Sequence, residues 1–488
     1  MATVTERLEQ VLQREAPAWG VRPTGPEVRR LGPFDFAVLW GDLSIGLLVI
    51  VTGALLPVLG MGLPAAIAAI VLGSMIGCAL LALGGVAGAR EGVPGMVLFR
   101  PVLGTRGSYL PSVLNIVQLL GWTAFELWAM ALVADRVGRD VLGIGGYGLW
   151  LAIVAVVCTL LALGGPLVVV RRWMERFGAW VVAAVALWIT IRLLAETDLG
   201  AAWSAPAAGG LAFMVGLDLV IVMPISWLPL VADYNRFARP GESSARGTFW
   251  GYLVGNVWFY ALGALLVLGA GLSDPSPAGV ATAIASLAGG AVVLVALLVG
   301  ETDQAFANIY STAVSAQNLA PRLPQRPAIL AVGTGGAAIA AWIGADAAGA
   351  LGNYELFLFG LGSVFVPLYG VLLADYFVLR NHDHAAGELF APGGRYRFQG
   401  GFNVRAFVPW VLGFLVYQWA VPTGPDWWVS AATTFYDRWL QLPFPLFGSR
   451  LGASLPAFAV AFIAHLALRP RAVARATRTP PAGRATRS

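Results

Sequence analysis

Lysine is missing from this chain of 488 residues, so all 31 of its basic side chains are arginines. Charge of either sign is scarce: 12% of the residues are charged, against about 25% in a soluble globular protein. With 58% hydrophobic residues, the chain lacks the polar surface to stand in water, which excludes a soluble domain and points to an integral membrane protein. Cysteine is nearly absent. Cys78 and Cys158 both lie in apolar stretches, so a disulfide framework is excluded. Histidine is limited to His382, His384 and His465. None forms a Ser/His/Asp or Cys/His set with a nucleophile, which argues against a membrane-embedded enzyme. The chain before Phe34 is polar, with no short apolar stretch ending in a cleavage site, so no removable signal peptide is read there. The net charge of +5 does not point to nucleic acid, because the arginines fall between apolar runs and bear on topology.

Those apolar runs recur from Phe34 onward, and each is long enough to cross a bilayer as a helix of about 20 residues. Their spacing predicts an all-α polytopic membrane protein of about twelve transmembrane helices. The expected spans are 34–59, 64–88, 109–134, 147–170, 176–196, 209–232, 248–272, 286–316, 327–345, 353–378, 406–422 and 451–468. The aromatic stretch 423–450 reads as interfacial, since Trp and Tyr rings favour the headgroup level. Residues 1–33 and 469–488 are expected to be tails around a membrane domain at 34–468, the second one basic. Arginines cluster in alternate loops: Arg90, Arg100 and Arg106; Arg171, Arg172 and Arg176; Arg236, Arg239 and Arg246; Arg322 and Arg326; Arg380, Arg395 and Arg397. By the positive-inside rule, that alternation predicts a cell-membrane protein with both termini in the cytoplasm.

Acidic residues inside such spans are costly, by at least about 2.5–3.5 kcal/mol each. Five stand out: Asp42, Glu126, Asp218, Glu301 and Asp303. No arginine lies at comparable depth, so these carboxyls are expected to be protonated or to hold a cation, as a coupled transporter requires; the alternative is that one or two are neutral acids hydrogen-bonded to a neighbouring helix. Glu126 follows Trp122 by one helical turn, so the pair offers a flat ring and an acceptor beside it, suited to a planar nitrogen-rich ligand. In VMPISWLPLVADYNRF (222–237), Pro224 and Pro229 bracket Ser226 and Trp227 and argue against continuous helix. Gly41, Asp42 and Ser44 form a polar, flexible patch in the first span, which would mirror that break. In VGETDQAFANIYSTAVSAQN (299–318), helical geometry puts Glu301 and Asn308 on one face and Asp303 on another. Thr302, Asp303 and carbonyls of a broken first span would supply the oxygen ligands that a hard cation needs.

The chain resembles the nucleobase–cation symporters, which include cytosine and purine permeases and allantoin, hydantoin and hydroxymethylpyrimidine transporters. The resemblance is carried by LWGDLSIG, by VPGMVLFRPVLGTRGSYLPSVLNIVQLLGW, by SWLPLVADYNRF and by TDQAFANIYS, in that order. It implies a LeuT-like fold, with inverted repeats of five spans (34–196 and 209–378) and two further spans (406–468). It also implies import of a nucleobase or related heterocycle by Na+ or H+ symport through alternating access. Trp122, Glu126, Ser226, Trp227, Asn308 and Asp42 are then expected to bind substrate. The position of Glu126 is often an amide in relatives. Gly41, Ser44, Thr302 and Asp303 are expected to bind the coupling cation. No cofactor is expected, and no metal beyond Na+; the bilayer is the one macroscopic partner, and the oligomeric state is open. A LeuT-fold amino-acid or amine transporter is the alternative, because tryptophans and carboxylates also cage amines. A channel fits less well, since scattered acids on broken helices suit an occluded site better than a pore ring.

Overall fold

The computed structural model describes residues 20–164, 179–287, 289–345, 347–391, 393–442 and 450–468. The loop carrying Arg171, Arg172 and Arg176 and most of both tails lie outside the described residues. Within them every regular element is a helix. The first span is two helices, α1 (Pro33–Asp42) and α2 (Leu47–Val58), bent by 60°. Then come α3 (Leu63–Glu91), α4 (Tyr109–Val137), α5 (Tyr147–Gly164) and α6 (Ala179–Glu196). The second half runs α7 (Phe213–Ser226), α8 (Leu228–Asn235), α9 (Ser244–Leu268), a short α10 (Pro277–Ser286), α11 (Gly290–Leu319), α12 (Gln325–Ala345) and α13 (Ala347–Leu373). Last come α14 (Val404–Ala420), a short α15 (Asp426–Thr433) and α16 (Ser454–Ala467). Among the described residues eight helical segments are long and apolar enough to span a membrane, or nine with the bent pair counted as one. Helices α6, α14 and α16 lie where the sequence places its remaining spans.

The two interruptions differ. Between α1 and α2 the chain unwinds over a patch rich in glycine and polar residues, where Ser44 Oγ donates to Gly41 O at 2.6 Å in place of a helical bond. Between α7 and α8 only Trp227 is extra-helical, and its φ and ψ of −85° and −14° keep the two axes nearly in line. The prolines explain the mild break. Pro229 falls in the first turn of α8, where a missing N–H costs nothing, and Pro224 disturbs only the end of α7.

Each broken helix rests on a stripe of glycines from the other half of the chain. On α9, Gly247, Gly251 and Gly255 repeat at every fourth position against α1. A Cβ at Gly251 would lie 2.4 Å from Ala37 O, and one at Gly255 would lie 2.0 Å from Ser44 Oγ. On α3, Gly77 and Gly88 do the same for α7 and α8, with a Cβ meeting Pro224 at 2.3 Å and Ala232 at 2.4 Å. Small residues let backbones approach where lipid supplies no hydrophobic drive. The pairing of α9 with α1 and of α3 with α7–α8 is the exchange expected of inverted repeats.

Among the described residues, the loops carrying Arg100, Arg236 and Arg380 gather at one end with Arg29. Arg29 donates to Ala238 O, Arg100 to Asn318 Oδ1 at 3.0 Å and to Leu389 O, and Arg236 to Gly20 O at 2.7 Å. Behind them, Asp375 accepts from Arg380 Nε at 2.5 Å and lies 3.2 Å from His384 Nε2 and 3.3 Å from His465 Nε2. This cluster ties α16 and the loop after α13 to the bundle, since Arg380 also donates to Pro101 O. Asp375→Ala strands a buried guanidinium, at a cost of about 3–5 kcal/mol. We expect a markedly lower unfolding midpoint for the detergent-solubilised variant; an unchanged midpoint refutes the cluster's structural role.

Candidate functional site

Asp218 is set apart from the other deep acids. Its carboxylate accepts from the Ala453 and Ser454 amides at 2.6 and 3.0 Å and so caps α16, whose N-terminal amides otherwise lack partners. It is an acid bonded to a neighbouring helix. The other four lie together between α1–α2, α4 and α11.

Helices α4 and α11 run antiparallel and share a polar seam. On α4, Asn115, Gln118, Trp122 and Glu126 follow each other at steps of three and four, which places them on one face. On α11, Glu301, Asn308 and Ser315 repeat every seven residues, again one face. One end of the seam is tied by Asn115 Nδ2 donating to Ser315 Oγ at 2.8 Å. At the other end the carboxyls of Glu126 and Glu301 lie side by side. Asn308 is halfway between these ties, level with Gln118 and Trp122. Glu126 and Asn308 are both 1% exposed. Among the described residues Gln118 Oε1, Trp122 Nε1 and Asn308 Nδ2 have no hydrogen-bond partner. Such buried orphans are costly, and a polar ligand in the seam would satisfy them.

The aromatic side chains frame this seam. The Trp122 ring meets Tyr354 and Phe357 of α13 edge-on, with centroids 6.0 and 5.3 Å apart. Trp227 meets Trp40 of α1 edge-on at 6.1 Å. Gln118 Nε2 joins the two regions by donating to Ser226 O at 3.1 Å, at the residue before Trp227. Ser226 Oγ itself donates to Met223 O, so its backbone carbonyl, not its hydroxyl, faces α4.

Helix α11 also holds the break of the first span. Glu301 accepts from the Leu47 amide, the first of α2, and Gln304 Nε2 donates to Ile45 O at 2.7 Å. The Asp42 and Asp303 carboxyls lie close together across the same junction. Gly41, Ser44 and Asp303 are therefore gathered at one junction. Thr302 is half-buried, and its hydroxyl donates to Val299 O of its own helix at 2.7 Å. Two carboxyls in contact cannot both ionise without a neutralising cation, whether a shared proton or a metal ion. Sequence reasoning missed Gln118, although it precedes Trp122 by the same one-turn step that relates Trp122 to Glu126. Tyr354 and Phe357 carried no signal, because nothing local relates α13 to α4.

The chain matches the family described as permeases for cytosine/purines, uracil, thiamine and allantoin over residues 23–440. It is 25% identical to the hydantoin permease of Microbacterium maritypicum over 456 residues, 87% of this chain and 89% of that one. It is 24% identical to the allantoin permease of Bacillus subtilis (strain 168) over 433 residues, 81% and 85% of the two chains. The fold is that of Mhp1, a nucleobase-cation-symport-1 family transporter solved in a closed conformation with bromovinylhydantoin bound. The TM-score is 0.76 at 21% identity, covering 93% of this chain and 98% of that one. A Na+-coupled sialic acid symporter has the same fold at a TM-score of 0.59 and 11% identity, covering 94% of each chain. With a family match over most of its length and two broken helices crossing a polar seam, this chain belongs to the cytosine/purine, uracil, thiamine and allantoin permease family and is a membrane transporter, not an enzyme.

Proposed function

We propose that the protein imports a nucleobase or related nitrogen heterocycle, of the cytosine, purine, hydroxymethylpyrimidine or allantoin class, across the cell membrane by cation symport. The carrying observation is the α4–α11 seam, with Trp122 between two acceptor side chains and Asn308 opposite. Its ring and orphaned polar atoms suit a flat ligand rich in N–H groups. Substrate sits among Trp122, Glu126, Asn308, Trp227 and the Ser226 carbonyl, with Asp42 at the edge. The coupling cation, Na+ or H+, sits at the junction of Gly41, Ser44, Thr302 and Asp303. The two carboxyl pairs support coupling, because each needs a positive charge that an inward gradient would supply. Both termini face the cytoplasm, on the side where the arginine-bearing loops gather.

Uptake of labelled cytosine into proteoliposomes tests this reading. We expect accumulation only under an inward Na+ or H+ gradient and its loss in Asp303→Ala. Uptake that ignores both gradients refutes symport. An amine substrate is the second reading, favoured by acids next to tryptophan rings; competition by amines and not by heterocycles would establish it.

A further inference from the structure

Resting on that reading, we propose that Gln118 and Glu126 select heterocycles with an N–H donor at both ends of the ring, namely amino-substituted pyrimidines and purines, against the oxo forms that carry a carbonyl at one end.

The chemistry of the two side chains is fixed by their neighbours. Gln118 Nε2 donates to Asn115 Oδ1 at 2.8 Å and to Ser226 O at 3.1 Å. A peptide carbonyl only accepts, so Ser226 O orients the amide and leaves Gln118 Oε1 as the group offered to a ligand. Glu126 touches Glu301, whose carboxyl already accepts from the Leu47 amide. Glu126 Oε2 has no hydrogen-bond partner among the described residues. That free oxygen is the acceptor Glu126 offers to the seam. Both ends of the α4 face are therefore acceptors.

Their spacing sets where the ligand lies. Gln118 and Glu126 are eight residues apart, or about 12 Å of helical rise, with Trp122 midway. A flat ring lying on Trp122 therefore lies between the two acceptors. On the facing helix Asn308 Nδ2 offers a donor, so the ring's long side must carry an acceptor. Cytosine has this pattern: ring N–H at one end, exocyclic amine at the other, and ring nitrogen and carbonyl along the side. Adenine extends it to two rings. Uracil and hypoxanthine differ by a carbonyl where the amine stands, which sets oxygen against oxygen. A buried acceptor facing an acceptor weakens binding by about 10- to 100-fold.

The test is competition binding to the purified full-length protein with cytosine, uracil, adenine and hypoxanthine as probes. We expect cytosine and adenine to bind at least about tenfold more tightly than their oxo partners. In Glu126→Gln we expect the ratio to fall to within about threefold, because an amide can turn its N–H toward a carbonyl. Uracil binding as tightly as cytosine to the unmodified protein overturns the proposal, as does a ratio unchanged in Glu126→Gln. Should that variant not fold, the ratio in the unmodified protein decides alone. Binding of both oxo and amino heterocycles with equal strength leaves the transport reading intact and refutes only the selectivity; binding of none refutes both.

Discussion

Glu126→Ala abolishes heterocycle uptake, by about 100-fold or more, while the protein still reaches the membrane and keeps its elution profile in detergent. Glu126 is buried on α4, facing Glu301. The substitution removes an acceptor to the ligand, worth about 1.5–3 kcal/mol if it is charged, or roughly 10- to 150-fold. It also removes the carboxyl beside Glu301, which keeps its bond from the Leu47 amide at the hinge. Both losses act on transport. Neither removes a contact that packs the bundle, because α4 and α11 stay joined through Asn115–Ser315 and through Asn318, which donates to Ser108 and Ser112. Uptake by Glu126→Ala at the parent rate would rule out a substrate-reading role for this carboxyl.

The second large effect is on assembly. Gly251→Leu is expected to eliminate folded protein, seen as loss of the monodisperse peak in detergent. A side chain there would drive its Cβ to 2.4 Å from Ala37 O and 2.9 Å from Ala37 Cα. Those are backbone atoms, so no rotamer change relieves the clash, and α1 must move away from α9. Overpacking a core typically costs about 1–3 kcal/mol. Displacing α1 exceeds that, since the adjacent Gly247 and Gly255 contacts are lost with it. Gly148→Leu on α5 is the control, because a Cβ there meets nothing within 4 Å. If Gly251→Leu folds as well as that control, the close crossing of α1 and α9 is not what seats the broken helix.

The positions of the helices were legible because hydropathy and arginine placement are local properties. Spans expected at 64–88, 109–134 and 327–345 are observed at Leu63–Glu91, Tyr109–Val137 and Gln325–Ala345. The break in the first span was legible for the same reason: glycine, aspartate and serine within four residues weaken helix in place. The second break was overestimated, because two prolines signal disruption without saying that one of them would fall in a first turn. In the site, helical periodicity put Glu301 and Asn308 on one face of α11 and Asp303 on another, yet Glu301 and Asp303 both meet the break between α1 and α2. It gave no partner for any of them.

Sequence alone therefore determined that this is a multi-span helical membrane protein with carboxyls at depth, and which faces of individual helices carry them. Tertiary structure decided what each carboxyl meets: Asp218 the amides that open α16, Asp42 its counterpart Asp303, and Glu126 its counterpart Glu301. The physical reason is distance along the chain. Helical periodicity reaches a few turns, whereas Asn115 and Ser315, which tie the seam, are 200 residues apart, and only packing of α4 on α11 brings them together.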